Sequence, residues 1–464
     1  MHCMDQSRNR RAGSKMGLKT ELVILGAGPA GYEAAIHAAQ CGMQVVLIEK
    51  DQVGGTCLNR GCIPTKSLLY QAHQLRIAAQ YAKIEIDGEA LRLQKEDTVA
   101  KLQKGIAQLI KGNSIQFLHG EAKITGPQTV SVNDETIEAE HILIATGSRT
   151  SVPPIPGIEL AMTSDQVLQW DRPLPQQAVI IGAGVIGLEF ADLLLDLGVG
   201  VTLLEAAPRP LIQADREIAQ NLQMILKRRG AQLHCGITIT QIHENAVDYS
   251  EKEKPMRAEG EWIIAATGRK PVLCECAQAL AQERGRLITD ACGRTSVPTI
   301  YAAGDVTSRI QLAHLASAQA INAVDTMLGR SPQFDLNCVP SCLYTHPEAA
   351  WVGLSEEEAQ AQGLSVIVGK TSTLSNSKSM IEQAPRGFVK LIADAATRQL
   401  VGGVIAGAHA SDWIGTVAQA VSQHLTIDDC QRVIMAHPTW SEALHEALMD
   451  FDQHAIHTLY KRTK

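Results

Sequence analysis

One glycine-rich pattern occurs twice in this chain, each time in the same surroundings, and that repetition restricts the fold more than any other feature. Residues 21–25 read as a buried strand. Gly26-Ala27-Gly28-Pro29-Ala30-Gly31 follows, then an Ala-rich helical stretch to about Gln40 and a second strand, 44–48, that ends at Glu49. Residues 178–181, the loop Gly182-Ala183-Gly184-Val185-Ile186-Gly187, a helical stretch 188–197 and a run 200–204 ending at Glu205 repeat the order. The last glycine and the acid are 18 residues apart in both copies. A lone G-x-G-x-x-G is a weak signal, but strand, loop, helix, strand and acid in this order form the dinucleotide-binding fingerprint. In each copy the first glycine (Gly26, Gly182) permits a tight turn. The second (Gly28, Gly184) lets the backbone approach a pyrophosphate at the helix N-terminus, and the third (Gly31, Gly187) lets the helix pack on the strand. Glu49 and Glu205 are placed to accept hydrogen bonds from ribose hydroxyls. A second echo supports the repeat. Residues 142–147 and 263–268 each close an apolar run with Ala-Thr-Gly, which adds Thr146, Gly147 and Gly268 to the candidate cofactor contacts. Two such units imply two dinucleotides in one chain, with a hydride passed between them.

The two units differ in what accompanies them. The first is followed by Gly54-Gly55-Thr56-Cys57-Leu58-Asn59-Arg60-Gly61-Cys62-Ile63-Pro64-Thr65-Lys66. A dithiol there can exchange two electrons with a disulfide substrate by thiolate attack. In a regular helix, residues five apart are about 140° out of phase and rise about 7.5 Å, whereas a disulfide needs Cα atoms about 4.4–6.8 Å apart. If Cys57 and Cys62 bond, the segment therefore departs from plain helix, which its glycines and Pro64 permit. Two unrelated buried cysteines are the alternative at this point. Lys66, four residues past Cys62, shares its helix face; its charge would favour a thiolate at Cys62 and an anionic reduced flavin. Residues 299–306 read as a strand, a Gly-Asp pair and a helix, and Asp305 at a strand end suits a polyol such as the ribityl chain of FAD. The first unit then takes FAD and the second a nicotinamide nucleotide. Glu205 would repel a 2′-phosphate, which favours NAD over NADP. Arg209, in a Pro-rich turn, weighs less.

Composition narrows the class. With 464 residues the chain is too long for one core, and 45% hydrophobic residues with only 4% aromatics and 37 glycines suit an α/β protein. A net charge of −7 argues against nucleic acid as a partner, and no apolar run reaches the roughly 18 residues needed to span a membrane. Eleven cysteines without a framework read as a reduced, cytoplasmic protein. Cys274 with Cys276 and Cys338 with Cys342 lack a second pair or a histidine at zinc spacing, so no metal site is expected. Residues 1–18, polar and basic, read as a disordered extension rather than a signal peptide, with Met16 as an alternative start.

Further segments join these motifs: Leu312-Ala313-His314, Tyr344-Thr345-His346-Pro347-Glu348, Gly387-Phe388-Val389-Lys390, Gly407-Ala408-His409-Ala410-Ser411 and His437-Pro438-Thr439-Trp440-Ser441-Glu442. With them the chain, from about Lys19 to its C-terminus, resembles the flavin-dependent pyridine nucleotide–disulfide oxidoreductases, and within them the branch that oxidises dihydrolipoyl groups. The resemblance implies that Cys57 is the thiol that exchanges with substrate and Cys62 the thiol against the flavin. Lys66, Asp305 and Leu312-Ala313-His314 match flavin contacts, and Glu189 matches a side chain near the nicotinamide. His437 is implied to be the general base, oriented by Glu442. The chemistry asks for such a base, because a dithiol with a pKa above neutral attacks slowly without a proton acceptor. Arg60 departs from the family pattern, standing where an apolar residue is common.

The expected fold class is α/β, with two Rossmann-like dinucleotide-binding domains, for FAD and NAD, and an α+β C-terminal dimerisation domain. The expected boundaries are 19–150 for the FAD-binding domain with the redox cysteines, 151–272 for the NAD-binding domain, 273–336 for a central domain completing the FAD site and 337–464 for the dimer interface domain. The last contains strand-like runs at 341–345, 349–352, 366–369, 388–392 and 399–405. The resemblance implies a homodimer in which His437 and Glu442 serve the other subunit's cysteines. It also implies lipoyl-bearing partners, the subunits of 2-oxoacid dehydrogenase complexes or the glycine cleavage H protein, since no lipoyl-type domain precedes residue 19. Glutathione reductase-like enzymes are opposed by Glu205. Mercuric reductase-like enzymes are opposed by the absence of a cysteine pair in the final residues, and a non-catalytic flavoprotein by the complete set of chemical groups.

Overall fold

The computed structural model describes residues 18–460 except 276 and 385. Of the expected extension 1–18 only Leu18 falls among them, and it already pairs with Ile137 in a strand; Cys276 falls outside. The first unit is a seven-stranded sheet. Its parallel part runs Gln116–His119, Val45–Glu49, Leu18–Leu25, Glu135–Ile144, and two antiparallel strands, Thr129–Val132 and Lys123–Gly126, extend it. Leu22, Val23, Ile24 and Leu25 are buried in succession, the mark of a parallel strand covered on both faces.

The chain leaves this sheet through Ser148–Thr150 and comes back through Arg269–Pro271, and these two strands pair with each other as an antiparallel ribbon. Between them lies the second unit. Its five strands, Gln232–Cys235, Gly200–Glu205, Gln177–Ile181, Trp262–Ala265 and Met162–Thr163, are all parallel. A three-stranded antiparallel sheet over 238–259, which no sequence signal marked, sits beside it.

Residues after the ribbon rejoin the first unit. Strand Ile300–Ala302 pairs with Glu135–Ile144, and helix Ala313–Met327 packs on helix Pro29–Gln40. Ala30, Ala34 and Ala38 share one core with Ala316, Ala320 and Ala323, and such small side chains allow a close helix–helix approach. The helix expected directly after Asp305 is a single 3-10 turn, Gly304–Val306; the α-helix begins only at Ala313.

The C-terminal part is a five-stranded antiparallel sheet in the order Ser341–Leu343, Glu348–Gly353, Leu400–Gly407, Phe388–Asp394, Val366–Ser372. Helices Ala410–Ser422 and Glu442–Asp450 bury an apolar stripe against it. Lys390, on the strand Phe388–Asp394, is 3% exposed. Its ammonium lies 2.6 Å from Asp215, 2.9 Å from Glu356 and 3.2 Å from Glu217. Burial works against the ammonium, but hydrogen bonds to Asp215 and Glu356 hold its pKa above the ordinary lysine value. Asp215 is also the N-cap of helix Arg216–Arg228 in the second unit, so the cluster joins two sheets. Lys390→Met leaves Asp215 buried without its cation and is expected to cost about 3–5 kcal/mol. A urea denaturation midpoint unchanged from the parent would refute this.

Candidate active site

The two glycine loops are geometric copies. Gly26 and Gly182 have φ of +104° and +101°, and a Cβ on either would stand 2.4 or 2.5 Å from the carbonyl oxygen of Ala145 or Ala266. A Cβ on Gly31 or Gly187 would strike the carbonyl of the first glycine at 1.8 or 1.9 Å. The middle glycines differ. A Cβ on Gly184 meets nothing within 4 Å, and one on Gly28 meets only the Gly55 Cα at 3.9 Å. Open space therefore borders the N-termini of two 12-residue helices, where a pyrophosphate is favoured.

Both acids do more than the sequence suggested. Glu49 accepts from the N–H groups of Ala27 (2.7 Å) and Asp51 (2.8 Å), and Glu205 from those of Ala183 (2.6 Å) and Ala207 (2.7 Å). Each carboxylate ties its strand end to its glycine loop and keeps acceptor capacity for a ribose. The guanidinium of Arg209 donates to the carbonyls of Leu211, Ile212 and Ala214, so it is engaged by its own turn. With Glu205 opposing a 2′-phosphate, NADPH is expected to be about 10²-fold poorer than NADH in kcat/KM, since like-charge juxtaposition costs several kcal/mol; steady-state assays with the two nucleotides check this.

Cys57 and Cys62 form a disulfide with Cα atoms 4.7 Å apart. The helical path is interrupted to allow it: Gly55–Arg60 and Cys62–Ala78 are separate helices, broken at Gly61. A Cβ there would stand 3.0 Å from the Thr56 carbonyl oxygen and 3.3 Å from the Cys57 Cα, so glycine admits the close approach. Two other thiols are less reactive. Burial pushes Cys235 and Cys342 up to about 11, which keeps them protonated near neutral pH. Arg60 forms a half-exposed ion pair with Asp51, tying the short helix to the loop after Glu49.

Lys66 and Glu189, expected at different cofactors, are partners. The ammonium lies 2.8 Å from both carboxylate oxygens, and Glu189 also accepts from the Tyr344 N–H at 3.2 Å. The charge expected to act on Cys62 is thus shared with Glu189. No sequence signal pairs residues of different units; the crossing of helices Cys62–Ala78 and Val185–Asp196 does. Farther along the same helices, His73 and Arg76 meet Asp196, and Asp192 receives Arg229 and His346. Donor atoms of His73, Asp196 and His346 lie within 4.8 Å of one another. The two imidazoles, however, stack 3.5 Å apart and 6° from parallel, and ring-nitrogen lone pairs lie in the ring plane, so no one ion lies in both planes. Burial, with His346 and Arg76 beside it, pushes His73 down to about 3. The cluster is a junction of three units.

Asp305 accepts from the Ser148 hydroxyl at 2.5 Å. Thr146, Gly147 and Gly268, expected beside the cofactors, hold the ribbon together. The Thr146 hydroxyl donates to the Val272 carbonyl, Val272 N–H to Gly147, and Ser151 N–H to Gly268. Thr267, the counterpart of Thr146 in the second Ala-Thr-Gly, donates to Ser151. Leu312 and Ala313 open the helix Ala313–Met327, and His314 Nε2 lies 2.8 Å from the Pro340 carbonyl oxygen.

A cavity of about 650 Å³ reaches Cys57 and His314. A second, about 480 Å³, holds His437 and Glu442. The expected base and the expected nucleophile therefore line different cavities of one chain. His437 Nδ1 lies 2.9 Å from Glu442 Oε1, which leaves Nε2 available, and Glu442 Oε2 accepts from the Thr439 N–H at 2.8 Å. Burial raises the Glu442 pKa, but the Thr439 N–H and the His437 ring outweigh it and hold the carboxyl below its usual range. The His437 side chain is 69% exposed, and Val433, Ile434, Met380 and Ile381 are exposed in the same C-terminal part.

Two family models match the chain: pyridine nucleotide-disulphide oxidoreductase over residues 20–320, and the dimerisation domain of the same family over 339–448. Dihydrolipoyl dehydrogenase of Bacillus subtilis is 35% identical over 95% of this chain and 100% of its own length. That of Thermus scotoductus is 36% identical over 95% and 99%. Among solved structures, the HOCl-induced flavoprotein disulfide reductase RclA of Escherichia coli superposes with a TM-score of 0.83 at 28% identity, covering 93% of this chain and 99% of that one.

Proposed function

The chain belongs to the pyridine nucleotide-disulphide oxidoreductase family, and on that premise we propose that it oxidises protein-bound dihydrolipoyl groups to lipoyl groups while reducing NAD⁺ to NADH. It is an FAD- and NAD-dependent enzyme. The loops at Gly28 and Gly184, with Glu49, Asp305 and Glu205, suit the two nucleotides; when bound, FAD supplies the two-electron acceptor for the dithiol and NAD⁺ the final hydride acceptor.

The observation that carries the choice of substrate is the cavity at Cys57. Leu102, Ile106, Ile321 and Phe334 line it, its carboxylates are Glu33 and Asp335, and among the described residues none of its lining side chains is lysine or arginine. Such a wall suits an aliphatic lipoyl arm and disfavours the carboxylates of glutathione disulfide. His437 Nε2 takes one thiol proton. The resulting thiolate attacks Cys57 Sγ, which breaks the Cys57–Cys62 bond and leaves Cys62 as thiolate. The second substrate sulfur, once deprotonated, displaces Cys57, and the lipoyl disulfide departs from a reduced cysteine pair.

The chain carries a dimerisation domain, and the exposed apolar side chains near His437 suit burial against a second copy. His437 and Glu442 then act on the other subunit's Cys57. Lipoyl-bearing subunits of 2-oxoacid dehydrogenase complexes or the glycine cleavage H protein are the proposed partners. No described helix is long and apolar enough to cross a membrane, and the free thiols of Cys41, Cys235, Cys292, Cys338, Cys342 and Cys430 support a reducing compartment, proposed to be the cytoplasm. The test is to assay the purified protein with NADH and NADPH against lipoamide and glutathione disulfide. Preference for lipoamide with NADH is expected; preference for NADPH with glutathione disulfide overturns the reading.

A further inference from the structure

Arg269 opens the ribbon strand that returns from the second unit, opposite Thr150. Its Nε donates to Ser148 Oγ at 2.8 Å, and its Nη2 donates to the Ser148 carbonyl at 2.8 Å and to Thr56 Oγ1 at 3.4 Å. The Ser148 hydroxyl has one proton, and it goes to Asp305. Ser148 Oγ must then accept from Arg269, and a permanent N–H donor fixes the direction of this short chain. Thr56 is the residue before Cys57. One guanidinium therefore touches the strand leading to the NAD unit and the short helix that carries Cys57, and through the Ser148 hydroxyl it reaches the carboxylate expected at the flavin polyol.

We propose that Arg269 is a positioning residue that sets Asp305 and the short Cys57 helix relative to each other and to the NAD-binding unit. The proposal rests on the reading of this site as an FAD- and NAD-dependent centre for dihydrolipoyl oxidation. The planar fork is what the geometry requires: parallel N–H groups serve the two Ser148 oxygens together, while Nη2 reaches Thr56, and a single ammonium cannot reproduce that pattern. Burial pulls the pKa of this guanidinium down, and Asp165 and Asp305 offset the effect; its role is to orient, since a guanidinium stays protonated near neutral pH. The four Ala-Thr-Gly contacts that close the ribbon make the arrangement stiff, so a shift at Arg269 is passed on to both nucleotide units.

The test uses Arg269→Met and Arg269→Lys holoenzymes and reads three quantities: the visible flavin spectrum, the FAD dissociation constant of the apoprotein by flavin fluorescence, and the rate of flavin reduction by NADH in a stopped-flow half-reaction. Arg269→Met is expected to weaken FAD binding by about tenfold and to slow the half-reaction by roughly ten- to a hundredfold, as misplacement by about 1 Å does, with the half-saturating NADH concentration nearly unchanged. Arg269→Lys is expected to restore part of the FAD affinity and less of the rate. If Arg269→Met does not fold, Arg269→Lys and Thr56→Val carry the test through the same readouts. A lowered denaturation midpoint with unchanged spectrum, FAD affinity and reduction rate overturns the proposal, because it leaves Arg269 a merely structural residue. The half-reaction needs no lipoyl substrate, so failure of the parent enzyme with lipoamide would remove the lipoyl reading while leaving the Arg269 result separately legible.

Discussion

Cys57→Ser is expected to lower lipoamide-dependent NADH formation by at least about 10³-fold, on the scale of losing a covalent nucleophile, with FAD still bound. The physical reason is the position of this sulfur. Cys57, not Cys62, lines the cavity that opens beside His314, so it is the sulfur a substrate thiolate meets. A serine oxygen cannot form the mixed disulfide through which exchange proceeds. FAD should stay because the substitution touches neither glycine loop nor Asp305. The flavin spectrum and the lipoamide assay, run on one preparation, check both halves. Lipoamide turnover at the parent rate would end the dithiol mechanism.

The second large effect concerns His437. His437→Gln is expected to reduce lipoamide turnover by roughly 10²- to 10⁴-fold, the scale of a lost general base, and to spare NADH-driven reduction of an artificial dye, which needs no proton taken from a dithiol. The two-cavity arrangement allows a sharper test. A Cys57→Ser subunit paired with a His437→Gln subunit contains one site with neither defect if the base comes from the opposite chain. Mixed dimers should then recover about half of the parent activity, although each homodimer has almost none. No recovery would place base and nucleophile in one chain. The pH dependence follows from Glu442. Its folded-state pKa is lowered, so its support of the His437 ring is present above the usual carboxylate range and is lost as pH falls through the lowered value. The part of the acid limb that Glu442 protonation contributes should disappear in Glu442→Gln, where that support is missing at every pH and turnover is lower throughout.

Much of the fold was legible because the signals were local. The turn from Gly26 to Gly31 carries local requirements, a positive φ at Gly26 and no Cβ on Gly31 against the Gly26 carbonyl, so spacing announces it, and the 18-residue interval to Glu49 is one helix and one strand. The helix Cys62–Ala78 was harder to see, since the glycines and Pro64 at its start argue for a break and its register begins only after Gly61. The sheet over 238–259 was invisible because its strands pair with one another at the surface and carry few buried apolar side chains.

Spacing alone was enough to read two dinucleotide folds, a dithiol beside the first, an acid placed to oppose a 2′-phosphate in the second, and a histidine–glutamate pair five residues apart. Those depend on short-range geometry, and short-range geometry is written in spacing. The tertiary structure decided what each group faces. It joined Lys66 to Glu189 across 123 residues, spent Arg209 on its own turn, and gave Arg60 to Asp51. It hung Thr56 and Ser148, and through Ser148 also Asp305, on Arg269 and set His437 in a cavity apart from Cys57. Such pairings arise where helices and ribbons cross, and a crossing depends on how whole units pack, which no interval along the chain records.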